Sequence, residues 1–234
     1  MSKKNYDEIN KKSKEIWEKF IKLQPETDLM FPDENLIRIF SQRYIKIPSP
    51  PVKLLDHGFG SGNNLVFFAT KGYECYGCEI AEELINIANE KFEKINIPAN
   101  LKLIKGDRLV YDDNFFDIVI SWNVIHYLGE KQRVIKVIED FHRILKQGGV
   151  LILSTLHPKN SLLKRMKPIG NGSFEVIEES LFDNRKGLTL FATKGKEELM
   201  EFFSIFSEVK YGFYNFDLFL PERTMAAQLI YAIK

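Results

Sequence analysis

Long apolar runs are missing from this chain. Nowhere in its 234 residues is there a stretch near the ~20 apolar residues that a membrane helix needs. The N-terminal segment lacks the apolar core of a secretory leader. A cytoplasmic protein without a membrane partner is expected. An excess of charge of one sign is missing too: 33 Lys and Arg stand against 32 Asp and Glu, a net charge of +1. Nucleic-acid binders normally carry a basic stripe, so no nucleic-acid partner is expected. Cysteine is scarce. Cys75 and Cys78 form a Cys-x-x-Cys, a spacing that redox pairs and half zinc sites use. Yet Tyr73-Glu74-Cys75-Tyr76-Gly77-Cys78 reads as a strand, and an odd spacing on a strand sends two side chains to opposite faces. Buried, reduced cysteines are expected, and no metal.

What is present is an alternation. Strand patterns at 52–56, 73–78, 101–105, 116–121 and 149–154 are separated by helical patterns at 63–71, 82–94 and 130–146, the last ending at Gly148-Gly149. Such an order predicts an α/β fold, doubly wound, with a mostly parallel sheet covered on both faces. Residues 1–50 read as an N-terminal helical cap, with a second amphipathic run from Glu34 to Ile45 and the punctuation Ile47-Pro48-Ser49-Pro50-Pro51 after it. The main domain is expected over 51–234. Within it, 156–192 shows no clear periodic element and reads as a substrate-side insertion. A helix at 194–204 and β-like runs at 209–216 and 227–233 follow.

The chemistry gathers after the first strand. Val52, Leu54 and Leu55 make a short apolar strand, and it ends in Asp56-His57-Gly58-Phe59-Gly60-Ser61-Gly62-Asn63-Asn64. Glycines at such a turn allow positive φ and leave no Cβ between the backbone and a ligand. The amides that open the next helix then face that ligand. A dinucleotide fingerprint would be Gly-x-Gly-x-x-Gly; here position 63 is Asn, and Asp56 would repel a pyrophosphate but suit an ammonium group. In a doubly wound sheet the ligand lies across the carboxyl ends of the strands. Glu79, after the second strand, is placed to accept ribose hydroxyls, and Asp107, after the third, to accept the exocyclic amine of adenine.

These spacings together resemble the class I S-adenosylmethionine (SAM)-dependent methyltransferases over roughly residues 50–156. The match runs through Asp56 to Gly62, Gly77-Cys78-Glu79-Ile80, Gly106-Asp107, Phe116 to Ser121 with Val124-Ile125-His126, and Arg143 to Gly149. The resemblance implies a seven-stranded sheet with an antiparallel last strand and SAM as cofactor. It implies cofactor-binding positions at Asp56, Gly58, Phe59, Gly60, Gly62, Asn64, Glu79, Ile80, Asp107, Arg108 and Ser121, with Trp17 a further candidate from the first helix. It departs from the family pattern at His57, Phe59 and Gln147. Methyl transfer needs placement first and a base only for some acceptors. His126 and His157, each just past a strand, are the candidate catalytic residues, and His142 is expected to be structural. Phe20 is expected to pack, and Tyr6 is a lesser candidate for touching the cofactor.

The acceptor is expected to be a small molecule. The segment Ser121-Trp122-Asn123-Val124 lacks the prolines of nucleobase amino-methyltransferases. Lys159, Lys164, Arg165 and Lys167 are either a solvated face or the wall of a pocket for an anionic acceptor, such as a nucleotide-activated sugar or other surface-polysaccharide precursor. The alternatives are a protein or RNA methyltransferase, a non-catalytic SAM-binding subunit, and an NAD-binding oxidoreductase. A monomer or homodimer is expected.

Overall fold

A computed structural model describes residues 3–23, 31–41, 45–178, 185–217 and 224–234, with the side chains of the first helix described from 7 to 19. The elements run α1 (Lys3–Leu23), α2 (Glu34–Ser41), β1 (Lys53–His57), α3 (Asn63–Thr70), β2 (Glu74–Glu79), α4 (Glu82–Lys94), β3 (Asn100–Leu103) and β4 (Phe116–Trp122). A 3₁₀ turn at Ile125–Leu128 leads to α5 (Lys131–Ile144) and β5 (Leu145–Leu156). Then come a 3₁₀ turn at Ser161–Arg165, β6 (Met166–Gly170), β7 (Ser173–Val176), β8 (Thr189–Phe191), α6 (Lys196–Glu201), β9 (Glu208–Asp217) and β10 (Thr224–Ile233). Tyr6 and Phe20 lie outside the described side chains.

Seven strands form one sheet in the order β3-β2-β1-β4-β5-β10-β9. Strands β1 to β5 are parallel, and β10 is antiparallel to both β5 and β9. The expected antiparallel last strand is therefore β10. Strand order reverses between β1 and β4, and at such a switch point the strand ends open a crevice for a ligand. Alternate residues of β4 explain why both faces are covered. Ile118 and Ile120 enter a core with Leu36, Leu65 and Phe68 under α2 and α3. Val119 enters the other core, with Phe141 and Ile144 of α5 and Phe203. Cys75 belongs to the first core and Cys78 to the second. Both thiols are free and buried, and burial pushes Cys75 up to about 12. The pair spans the sheet and cannot close on itself or on one metal.

Three boundaries differ from the sequence reading. The helix expected to reach 146 stops at Ile144, four residues before Gly148. Its last carbonyls are taken by the loop entering β4: the Asn114 and Phe115 amides donate to Arg143 and Ile144. The chain is therefore already extended at Leu145, and the glycine pair sits inside β5 as an irregularity opposite β4. The helix expected at 194–204 is regular only over Lys196–Glu201; the amides of Phe202, Phe203 and Ser204 then bond three residues back, as in a tighter 3₁₀ turn. Residues 156–192 hold a three-stranded antiparallel sheet, β6-β7-β8. Its strands are at most five residues long, too short to print a period on the sequence.

Candidate functional site

The loop after β1 is shaped by close approach. Gly58, Gly60 and Gly62 all have positive φ, at 68°, 58° and 83°. The Gly58 amide donates to the Cys78 carbonyl at 2.8 Å, joining the loop to β2. A Cβ on Gly58 would lie 2.7 Å from both methyls of Val124, whereas one on Gly60 would meet nothing within 4 Å. Gly58 is thus demanded by packing, and Gly60 leaves an open cradle. Asp56, at the end of β1, is 1% exposed and its Oδ2 has no hydrogen-bond partner. Burial, and then the neighbouring Glu79 carboxylate, push its carboxyl up to about 8. A cationic ligand group would reverse that.

Glu79 ends β2 and is also buried. Its Oε2 accepts from the Gly60 amide at 3.1 Å and its Oε1 from the Ile80 amide at 2.6 Å. Burial still wins over these amides and raises its pKa. Glu79 thus holds the glycine loop in place while its remaining lone pairs stay available. Phe59 is buried in the core under α3, and Ile80 packs against the opposite one. Gly62 caps α3, with its carbonyl accepting from Val66.

The other predicted cofactor residues have varied surroundings. Asp107 faces the Arg133 guanidinium, which donates to both of its oxygens. The Arg108 side chain is exposed. Ser121 is fully buried, and its Oγ lies 3.1 Å from His57 Nδ1. Burial lowers His57 to about 4, so it is a neutral packing residue against Phe141. Asn64 Oδ1 accepts from the Asp33 amide, and Asp33 in turn caps α2 through the amides of Asn35 and Leu36. Asn64 therefore anchors α2 to the loop.

On the far side of β4, His126 is 3% exposed and its Nδ1 has no hydrogen-bond partner. Burial, with a smaller push from Arg185, lowers it to about 3. It stays neutral at any working pH and is poorly suited to holding a proton. Its ring lies 4.3 Å from that of Tyr127. Trp17 of α1 meets Tyr127 edge-on at 5.3 Å, and Arg185 donates to the Tyr127 hydroxyl at 3.2 Å. The structure so brings together Trp17, His126 and Arg185 from segments far apart in the chain. It does not bring His157 there. His157 Nδ1 accepts from the Lys159 amide in its own turn, and its ring lies against Phe213 of β9, toward the far edge of the sheet. His142 packs edge-on against Phe206.

Four buried polar atoms without hydrogen-bond partners lie on elements that meet near the ends of β1 and β4: Asp56 Oδ2, Trp122 Nε1, His126 Nδ1 and Ser13 Oγ of α1. Each orphan costs about 1–3 kcal/mol and marks a place where a ligand can supply the partner. An acceptor for an ammonium, a carboxylate beside an open glycine cradle and a second carboxylate past β3 fit the ammonium, ribose and adenine of a nucleoside–amino acid ligand. Among the described residues no cluster of three or more His, Cys, Asp or Glu could hold a metal ion, and no helix is long and apolar enough to cross a membrane. Sequence reasoning missed Arg133, Arg185 and Ser13. Only Arg133 left a signal: it shares a helix face with Val137, Phe141 and Ile144, where an Arg must be buried and paired.

Residues 55–153 match a family model described as a methyltransferase domain. Of curated relatives, a sterol 4-C-methyltransferase of Caenorhabditis elegans is 31% identical over 51% of this chain and 35% of its own length. A tRNA (carboxymethyluridine(34)-5-O)-methyltransferase of Arabidopsis thaliana is 30% identical over 57% of this chain and 31% of its own. The chain thus spans about a third of the length of these relatives. A solved SAM-dependent methyltransferase from Methanosarcina mazei shares the fold, with a TM-score of 0.68 and 21% identity over 87% of this chain and 98% of that one.

Proposed function

We propose that the chain, whose residues 55–153 match a methyltransferase-domain model, acts as a class I SAM-dependent methyltransferase and methylates an oxygen or nitrogen of a small, anionic acceptor such as a nucleotide-activated sugar. The observation that carries this reading is the set of unpartnered buried polar atoms on the elements around the switch point. Bound SAM would supply a methyl group on a sulfonium that leaves readily. The chain's own task is to bind, orient and exclude water. Asp56 takes the ammonium, Glu79 the ribose hydroxyls and Asp107 the adenine amine, while the backbone from Gly58 to Gly62 passes beneath.

On the acceptor side, His126 Nδ1 is neutral and receives a hydrogen bond from the acceptor. Trp17 and Tyr127 cover it. The small sheet of β6 to β8, in the 156–192 insertion, forms the outer wall, and Thr189 of β8 packs against Gly129. The cation we place against the acceptor on this wall is Arg185; of the four residues named from the sequence, Arg165 is half-buried. Lys159, Lys164 and Lys167 are exposed, which suits a solvated face.

The relatives named above act on a sterol and on tRNA, so an RNA acceptor is the second reading. Incubation with labelled SAM and, separately, nucleotide sugars, total RNA and total protein separates these. Label in the nucleotide-sugar arm is expected; label in RNA alone would move the assignment to RNA. If SAM binds and no pool is labelled, the chain is a binding subunit. Within the expected outcome, Arg185→Ala should raise KM for the anionic acceptor about tenfold, the loss of one charge-assisted hydrogen bond. Lys164→Ala should leave it unchanged.

A further inference from the structure

Among the described residues, Arg133 heads the fully buried side chains by size. A buried guanidinium is costly unless every donor finds a partner. Nε donates to Asp107 Oδ2 at 2.8 Å and Nη2 to Asp107 Oδ1. Nη1 donates to the Leu128 carbonyl at 2.9 Å, and Nη2 also reaches Asn10 Oδ1 of α1. One side chain at the start of α5 therefore ties together the loop after β3, the turn after β4 and the first helix. These are a cofactor-side loop, the segment that carries His126, and the helix that carries Trp17.

We propose that Arg133 is the positioning residue for the adenine end, aiming Asp107 at the adenine amine and coupling that aim, through Asn10, to the seating of α1 over the site. This rests on the role given to Asp107 above. A carboxylate oxygen has two lone pairs, and the Arg133 fork occupies one on each. The fork fixes the carboxylate plane, so the remaining lone pairs have a fixed direction. The Asp107 side chain keeps 22% of its surface exposed, which leaves that direction open to a ligand. An adenine amine that pulls on Asp107 also favours the arrangement in which Arg133 and Asn10 meet. The seating of the first helix through Asn10 is then held more firmly when adenine, rather than another base, is bound.

The test is calorimetric titration with S-adenosylhomocysteine and with its inosine counterpart, in which oxygen replaces the 6-amino group. The intact protein should prefer the adenosyl ligand about tenfold, the value of one hydrogen bond to a charged group. Asp107→Ala should bring that ratio to about one. Arg133→Lys keeps the charge but loses the fork, and Asn10→Ala loses the tie to α1. Both should lower the ratio at least threefold, chiefly by weakening the adenosyl ligand. Hydrogen exchange in 7–17 should slow on addition of S-adenosylhomocysteine in the intact protein and much less in Asn10→Ala.

If Asp107→Ala collapses the ratio while Arg133→Lys and Asn10→Ala keep the wild-type value, Arg133 is a structural tie only and the proposal fails alone. If Asp107→Ala leaves the ratio intact, the adenine role of Asp107 fails first. Should Arg133→Lys not fold, Asn10→Ala on the half-buried face of α1 decides the matter by the same ratio.

Discussion

The two sides of the β1/β4 crevice are built in different ways. On the side proposed for the cofactor, Asp56, Gly58 to Gly62 and Glu79 sit at the ends of adjacent strands, held by the bonds that the Gly58 and Gly60 amides donate to the Cys78 carbonyl and the Glu79 carboxylate. On the side proposed for the acceptor, Trp17, His126 and Arg185 come from α1, the turn after β4 and the insertion, and meet around Tyr127 through side chains. The first arrangement is hydrogen-bonded through main-chain amides and tied to short sequence motifs. The second can change its ligand by changing any one segment.

The sharpest test of that contrast is Glu79→Ala. It removes two charge-assisted hydrogen bonds to the ribose at about 1.5–3 kcal/mol each, along with the support of the Gly60 amide. SAM affinity measured by calorimetry should fall on the order of 100-fold. A change under threefold would mean the cofactor does not lie there.

Next come the two glycines. Gly58→Ala combines a left-handed residue, about 1–2 kcal/mol, with overpacking against Val124, about 1–3 kcal/mol. Urea unfolding should show a loss of about 2–5 kcal/mol. Gly60→Ala meets open space, so it should cost only about 1–2 kcal/mol of stability, while SAM binding weakens at least tenfold because the new methyl fills the cradle. Equal effects on binding from both would erase the distinction between a packing glycine and a ligand-facing one.

The pH dependence of binding probes Asp56. In the free protein its carboxyl, at about 8, is protonated below that pH, and an ammonium ligand requires the carboxylate. Binding below pH 8 therefore releases a proton, and affinity should rise with pH by up to about tenfold per unit before levelling near pH 8. Asp56→Asn should abolish the slope. Stability without ligand runs the other way for this group: a raised carboxyl favours the fold below about pH 4 and loses that contribution as pH climbs to 8. His57 and His126, both depressed, favour the fold above about 6.5 and lose that contribution as the pH falls toward 4 and 3. A ligand-free melting profile should show both arms.

The smallest expected effect is at His126. As a hydrogen-bond acceptor for the substrate it is worth about 1 kcal/mol, so His126→Ala should lower kcat about fivefold to tenfold with SAM affinity unchanged. A loss of 100-fold or more would instead make it the general base.

The order of strands and helices was legible because each β–α unit is contiguous, and so was the placement of Asp56 and Glu79 at strand ends, since those are local positions. The end of α5 was not, because its caps come from Asn114 and Phe115, some thirty residues earlier, and no pattern in α5 itself records them. His157 stood second to His126 as a candidate, each lying just past a strand. What separates them is Phe213 on a distant strand and the Lys159 amide, which direct and occupy its ring.

Period and punctuation alone determined that this chain is a doubly wound α/β protein with a glycine-rich loop after its first strand, because hydrophobic alternation and glycine placement act over a few residues. Only the tertiary structure decided that Arg133 grips Asp107 from within the core, that Arg185 rather than a lysine stands beside Tyr127, and that His126 is desolvated and neutral. Those outcomes depend on which distant segments pack against one another, and the energies of buried charges and hydrogen bonds are set by that packing.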